Sequence, residues 1–331
     1  MAGHAVGALD AVLAAVARRR RLEAALRQVL EGRGYAEVAV PLLQPAEVGA
    51  DWGTAYRVLD QDGTILDLRP DVTGPVARLC AKGDAGGPRP RRLYYQATIF
   101  RRVAGEGPRE IVQAGAERIG GASGAQARVA ADAEVLALVA ECLRQAGAEH
   151  FLLVLGNAAY VQERLRLAGV DPVVAMAALR ARDYVGLAVA VGGIGSAAAG
   201  ELGWRGGIAA ALAGGIRGDG PAANEWRLLL AALVPAGLGA GVLVEPGLLL
   251  PGSYYTGLVF EVLVPGAPWP IGDGGRYDGL LGRWGESEPA VGFALDCDRL
   301  LRATDGEAPA EWTRRAWAAV RAPAAEGGGR P

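Results

Sequence analysis

The segment from Arg109 to Glu117 places hydrogen-bonding side chains at the spacing of a β-strand. Side chains alternate between the two faces of a strand, so Gln113, Gly115 and Glu117 fall on one face. An amide and a carboxylate separated by a glycine leave room for a small polar ligand. A solvated sheet face explains the same alternation, and the sequence leaves both interpretations open.

Three further segments combine polar side chains with glycine or proline. In Leu68–Thr73, Pro70 fits a strand-to-helix turn in which Asp71 caps the helix that follows. Tyr254 and Tyr255 are adjacent in a predicted strand, so one ring packs while the other presents its hydroxyl to a pocket. The run 272–278 indicates a glycine-rich turn that allows close backbone approach to a ligand.

Composition argues against several other kinds of site. The chain has 331 residues, with three scattered cysteines and two histidines, which leaves no zinc pattern and few candidates for Ser-His-Asp chemistry. A net charge of −2 gives no general attraction to nucleic acid. We therefore expect no metal and no cofactor. Without a signal peptide or an apolar run of about 20 residues, we expect a cytoplasmic protein that does not enter membranes.

The elements that position these segments follow from hydrophobic periodicity. Strand-dominated blocks surround a helical stretch, which indicates the α+β class. The predicted domains are a core of residues 8–157 and 236–305, a helical insert of 158–235 and a flexible tail of 306–331. The predicted helices are 8–33, 72–81, 125–146 and 275–284. The predicted strands are 36–41, 56–60, 64–68, 93–100, 110–117, 151–155, 241–250, 255–264 and 290–296.

Taken in order, the motifs resemble the catalytic core of histidyl-tRNA synthetases over about residues 8–305. That resemblance implies a class II aminoacyl-tRNA synthetase-like fold, with an antiparallel six-stranded sheet flanked by helices and a small helical insert. The segments that carry it are Leu68–Thr73, Phe100-Arg101 with Gln113-x-Gly115-x-Glu117 (motif 2), Tyr254–Gly257 with Phe260-Glu261, Gly274–Asp278, Gly292–Leu300 (motif 3) and Gly34–Pro41 (motif 1).

The resemblance also implies roles for individual side chains in a histidine pocket. Asp71 and Thr73 would accept hydrogen bonds from the α-ammonium group, and Gln113 would donate to the carboxylate. Glu117 and one of Tyr254 or Tyr255 would bind the two imidazole nitrogens. Three arginines are candidates for holding an anion or lining the pocket, or for local pairing alone: Arg101, Arg276 and Arg299.

Departures from the synthetase pattern decide the functional expectation. Leu250 stands where the synthetases have an arginine that contacts the amino-acid carboxylate and the reacting phosphate. Asp296 replaces a motif 3 glycine and puts negative charge where polyphosphate would lie. The loop after Arg101 is about two residues short against the synthetase pattern. Only 26 residues follow Asp305, so we expect no anticodon-binding domain.

A histidine pocket without an activating site resembles the regulatory subunit family of ATP phosphoribosyltransferase. That resemblance implies a non-catalytic chain that dimerises within a hetero-octamer with the short-form catalytic subunit. Histidine would be the inhibitory effector, and tRNA would not bind. Two alternatives stay open: a truncated enzyme that activates an amino acid with ATP, and an interaction scaffold with a vestigial pocket.

Overall fold

The computed structural model describes residues 2–46, 55–82, 88–102, 109–193 and 196–304, and for residues 2–8 it describes the backbone alone. The predicted tail, 306–331, lies outside the described residues. The strands are β1 (Ala36–Glu37), β2 (Leu43–Pro45), β3 (Tyr56–Leu59), β4 (Ile65–Leu68), β5 (Arg91–Phe100), β6 (Glu110–Ile119), β7 (Leu152–Asn157), β8 (Val242–Val244), β9 (Leu258–Leu263), β10 (Gly272–Arg276) and β11 (Ala290–Asp296). The helices are α1 (Ala2–Gly32), α2 (Thr73–Lys82), α3 (Ala125–Gln145), α4 (Ala158–Leu167), α5 (Pro172–Arg180), α6 (Tyr184–Ala190), α7 (Ala197–Leu202), α8 (Ile208–Ala210), α9 (Pro221–Leu233) and α10 (Cys297–Thr304).

The central sheet is wider and more mixed than the sequence predicted. Its strand order is β1-β5-β6-β11-β10-β9-β7-β8, which makes eight strands rather than six. The inner six pair antiparallel, whereas β1 lies parallel to β5 and β8 lies parallel to β7. Parallel neighbours need a crossover connection, and the helices between β7 and β8 supply one of them. The expectation of a purely antiparallel six-stranded sheet was therefore wrong at both edges.

A second, three-stranded sheet has the order β2-β4-β3. Its β3–β4 hairpin turns at Asp60–Thr64, between the strands predicted at 56–60 and 64–68, and Gly63 has the positive φ of 86° that favours glycine. This small sheet leads directly into Asp71 and helix α2. It therefore fixes one wall of the site described below.

The glycine-rich run at 272–278 is a central strand and not a turn, and the predicted helix at 275–284 was wrong. β10 pairs with β9 and β11, and a 3₁₀ turn at Leu281–Arg283 follows it. A Cβ on Gly275 would lie 2.9 Å from the Tyr255 ring, and one on Gly274 would lie 2.6 Å from the Phe260 ring. Glycine occurs in this strand because neighbouring backbone carbonyls and aromatic rings leave no room for a Cβ.

The main core lies between one face of the central sheet and helices α1, α3 and α9. Leu26 and Leu30 of α1 and Leu136 of α3 are fully buried there, together with Trp226 of α9. Helices α4 to α7 gather round a smaller apolar cluster that includes Leu165. Helix α9 thus packs in the main core although it belongs to the predicted insert, and the insert boundaries stay a prediction.

Two classes of site receive no support from the described part of the chain. None of its helices combines the length and the apolar character that crossing a bilayer requires. Over the same residues, His, Cys, Asp and Glu side chains do not gather in groups of three or more that could hold a metal ion. The three cysteines are unpaired and buried.

Candidate ligand cavity

An open cavity of about 380 Å³ lies on the face of the central sheet that turns away from α3. Ala114 and Ala116 pack into the α3 core, so the alternating residues of β6 turn toward the cavity side. The lining residues are Asp71, Thr73, Tyr95, Arg101, Gln113, Tyr254, Tyr255, Asp273, Gly274, Gly275, Tyr277, Gly292, Phe293 and Ala294.

Glu117 lies one layer beneath this lining and is fully buried. Thr73 Oγ1 donates to its Oε1 at 2.6 Å, and the Tyr277 hydroxyl donates to its Oε2. Burial raises the pKa of Glu117 from 4.5 to about 8, although both hydroxyl contacts favour the ionised form. The carboxyl group is therefore largely neutral at pH 7, and a solvated sheet face does not describe this position.

Asp71 and Thr73 stand where the small sheet meets helix α2. Asp71 Oδ1 accepts a hydrogen bond from the Gly74 N–H at 2.8 Å, which confirms the predicted helix cap. The same side chain lines the cavity and is 8 % exposed. The Asp71 side chain can therefore cap helix α2 and line the cavity at the same time, because the cap holds its carboxylate beside Thr73.

Tyr254 and Tyr255 do not point to opposite faces, because the chain enters β9 only at Leu258. Their rings stack with centroids 4.5 Å apart, their hydroxyls are 3.4 Å apart, and both line the cavity. The prediction that only one tyrosine faces the pocket was wrong. Burial raises the pKa of both phenols, so both are neutral hydroxyls at physiological pH.

Gln113 and Arg101 lie on the wall formed by β6 and the end of β5. Arg101 Nε donates to the Pro70 carbonyl at 2.8 Å, which directs the guanidinium along the cavity edge. An amide and a guanidinium on one wall can donate hydrogen bonds to a carboxylate. Asp71, Thr73 and Asp273 supply acceptors elsewhere in the lining.

The other two candidate arginines do not line the cavity. Arg276 is 2 % exposed and points to the opposite face, where it contacts Asp132 at 2.6 Å and Asp278 at 2.8 Å. Arg299 pairs with Asp296 at 3.1 Å and donates to the Pro270 carbonyl at 2.7 Å. Each guanidinium has local partners, which is the simpler of the two interpretations that the sequence left open.

Two of the departures from the synthetase pattern, Leu250 and Asp296, have defined structural surroundings, whereas the loop after Arg101 runs through 103–108 and lies outside the described residues. Leu250 is buried in an apolar cluster with Leu152, Val259 and Leu263, so it offers an anion nothing polar. Asp296 Oδ1 accepts from the Arg299 N–H at 2.9 Å at the start of α10. Its carboxylate therefore caps a helix and neutralises Arg299.

Three lining residues with polar side chains were not proposed as site residues from the sequence: Tyr95, Tyr277 and Asp273. Tyr277 and Asp273 belong to the glycine-rich motif at 272–278. That motif was interpreted as a turn, and a turn does not predict which side chains point toward the cavity. Once 272–276 is a strand, Asp273 and Gly275 share the cavity face. Gly115 leaves the space that the Tyr95 side chain occupies, because a Cβ at position 115 would overlap the Tyr95 hydroxyl. A glycine opposite a large side chain was the missed signal.

Comparisons with known proteins agree with this fold and its motif order. The histidyl-tRNA synthetase family model matches residues 7–300. Among curated relatives, the ATP phosphoribosyltransferase regulatory subunit of Symbiobacterium thermophilum is 37 % identical over 90 % of this chain and 79 % of its own. The protein of the same name from Moorella thermoacetica is 35 % identical over 92 % and 82 %.

Solved structures give the same result. A protein described as an ATP phosphoribosyltransferase regulatory subunit/histidyl-tRNA synthetase from Bacillus halodurans has a TM-score of 0.76 and 30 % identity, covering 88 % of this chain and 80 % of its own. Histidyl-tRNA synthetase from S. aureus has a TM-score of 0.59 and 24 % identity, covering 86 % and 65 %. This second likeness concerns the fold alone.

Proposed function

The chain belongs to the histidyl-tRNA synthetase-like family of ATP phosphoribosyltransferase regulatory subunits, and we propose that it binds histidine in this cavity and regulates the catalytic subunit without catalysing a reaction itself. The observation that carries the proposal is the distribution of groups in one cavity. Asp71 and its neighbour Thr73 supply hydrogen-bond acceptors, and Arg101 and Gln113 supply donors. Tyrosine hydroxyls line the cavity above the neutral, buried carboxyl group of Glu117.

A zwitterionic amino acid matches this distribution. Its ammonium group would be held by Asp71 and Thr73, and its carboxylate by Gln113 and Arg101. An imidazole has two polar corners, which suit hydroxyl groups better than an apolar wall does. Tyr254 and Tyr255 would contact the ring directly, and Glu117 would act on it through Tyr277 and Thr73.

Adenylate formation lacks support in the same surroundings. The position that should supply a cation to the reacting phosphate is Leu250, which is buried among aliphatic side chains. At the motif 3 position, Asp296 and Arg299 neutralise each other. Electrostatic stabilisation of the transition state usually contributes most to the acceleration of such reactions, and losing one donor costs about 10²–10³ in rate. We therefore propose a non-catalytic role.

Regulation by histidine then requires two arrangements of the assembly. A ligand shifts such an equilibrium only by its difference in affinity between the states, typically about 1–3 kcal/mol. We propose that histidine binds better to the arrangement in which the catalytic subunits are less active. The proposed assembly is the expected hetero-octamer of self-dimers with the short-form catalytic subunit.

Calorimetric titration of the purified chain with histidine, histidinol and phenylalanine tests the pocket. We expect histidine to bind and histidinol to bind about 10- to 100-fold more weakly, because it loses a charge-assisted hydrogen-bonded group worth about 1.5–3 kcal/mol. Phenylalanine, which has no ring nitrogen, should not compete. Equal affinity for all three ligands, or no heat with histidine at millimolar concentration, would contradict the proposal.

Histidine-dependent exchange of labelled pyrophosphate into ATP tests the enzymatic alternative. We expect no exchange above the rate without histidine. Exchange at the rate of a histidyl-tRNA synthetase measured in parallel would reject the non-catalytic role, whatever the calorimetry shows.

A further inference from the structure

A second cleft, of about 420 Å³, lies between the small sheet and helix α2, outside the proposed histidine cavity. Asp71 lines both spaces, so one carboxyl group forms part of the wall that separates them. The residues lining this cleft are Gln44, Pro45, Asp67, Pro70, Asp71, Gly74, Pro75, Arg78 and Trp284.

Asp67 is the unusual group in this cleft. It lies in the middle strand of the small sheet and is only 9 % exposed. Its Oδ1 is buried and accepts no hydrogen bond from any residue that the structure describes. Arg57 Nε lies 3.5 Å from this oxygen, on a side chain that is 66 % exposed. A buried carboxylate oxygen with so loose a contact is costly unless a further donor reaches it.

The remaining lining suits a cationic group. Trp284 is half-buried and offers an aromatic face, Gln44 offers an amide oxygen, and Asp71 is a second buried carboxyl group. Guanidinium and ammonium groups pair with carboxylates and stack on indole faces. Arg78 also lines the cleft.

Exposed apolar side chains border the cleft on the sides that face solvent. Leu59 and Ile65 are cross-strand neighbours on the same face of the small sheet as Asp67, and they are 72 % and 51 % exposed. Leu79 lies one helical turn from Pro75 on α2 and is also exposed. Exposed apolar residues near a pocket that could receive an arginine give a surface that a protein partner can bury.

Resting on the regulatory function proposed above, we infer that this cleft docks the catalytic subunit, which inserts an arginine or lysine side chain between Asp67 and Asp71 beside Trp284. Because Asp71 also lines the histidine cavity, ligand there changes the wall against which the partner side chain packs. The geometry thus supplies a direct contact between the effector site and the partner, through one carboxyl group. Histidine and partner then influence each other's affinity reciprocally.

The test measures binding of the short-form catalytic subunit to the full chain by biolayer interferometry. Asp67→Asn removes the charge and keeps the shape, and we expect the dissociation constant to rise about 30-fold or more. Ile65→Lys, at an exposed position of the same face, should weaken binding as well and does not depend on a buried residue. Asp219→Asn, an exposed carboxylate in the loop before α9, is the charge-matched control and should change nothing.

The outcomes separate this inference from the proposed function. If the wild-type chain does not bind the catalytic subunit at all, the regulatory function itself is wrong. If the wild type binds and both Asp67→Asn and Ile65→Lys bind equally well, the cleft is not the docking site. If these variants instead change the self-association of the isolated chain in sedimentation velocity and leave partner binding intact, the occupant is a second copy, which also overturns the inference. Histidine affinity of the isolated Asp67→Asn chain should stay unchanged.

Discussion

Glu117→Gln is the substitution whose effect the structure specifies most sharply. The glutamine side chain reproduces the neutral form of the buried acid, with one oxygen acceptor and one donor group. Burial raises the pKa of Glu117 from 4.5 to about 8, a difference worth about 5 kcal/mol at most. The variant should therefore keep the fold and lose the pH dependence that this proton confers.

The sign of the pH dependence of the unfolding free energy follows from proton linkage. Below pH 4.5 both the folded and the unfolded chain carry the proton, and the stabilising contribution of the neutral acid is fully present. As the pH rises toward about 8, the unfolded chain loses its proton while the folded chain keeps it, so the free energy of unfolding falls. Above that pH the contribution is lost and the dependence levels off.

Urea unfolding at pH 5, 6, 7 and 8 measures this contribution. We expect the unfolding midpoint of Glu117→Gln to rise relative to that of the wild type by an increment that grows at each step. Glu110→Gln, an exposed acid on the same strand, is the matched control and should follow the wild type. Parallel profiles for Glu117→Gln and the wild type would refute a raised pKa and, with it, a neutral carboxyl group beneath the cavity.

Three other substitutions test neighbouring parts of the account. Tyr277→Phe removes one donor to Glu117 and should cost about 1 kcal/mol in urea unfolding, with weaker histidine binding in calorimetry. Gly292→Ala places a methyl group against the Glu117 carboxyl and should cost about 1–3 kcal/mol, whereas Gly279→Ala, where a Cβ meets nothing within 4 Å, should cost far less. Arg276→Met leaves Asp132 buried without its cation and should lower stability by about 3–5 kcal/mol, while the folded fraction binds histidine normally; weakened binding would place Arg276 in the site after all.

The periodic elements were predictable because each combines a clear hydrophobic period with a clear end signal. Helix α3 was predicted at 125–146 and occurs at Ala125–Gln145, and the strands predicted at 56–60 and 64–68 form as β3 and β4. Strands were predicted at 36–41 and 241–250, but their parallel pairing at the two edges of the central sheet was not, because short parallel pairs have no local signature. Their pairing is decided by where the helices return the chain, which is a property of the whole fold.

The site residues on regular strands were easier to place than those on glycine-rich segments. Gln113 lines the cavity and Glu117 lies just beneath it because alternation along β6 is strict. The strand at 272–276 was missed because glycine lowers strand propensity, and the close approach of neighbouring backbone and of the Tyr255 and Phe260 rings, which explains the glycines, is visible only in the fold. Tyr254 was expected to oppose its neighbour because the loop before β9 was taken for part of the strand.

The most direct test of the central claim is the initial rate of the reconstituted ATP phosphoribosyltransferase at rising histidine concentration. The complex would contain the wild-type chain, Gln113→Leu or, as a matched surface control, Gln162→Leu. We expect histidine to inhibit the wild-type and Gln162→Leu complexes at the same concentration. The Gln113→Leu complex should need at least about a ten-fold higher histidine concentration for the same inhibition, because a donor to the ligand carboxylate is lost. Identical inhibition of all three complexes, or equal inhibition of the catalytic subunit alone, would contradict the claim that histidine acts through this cavity.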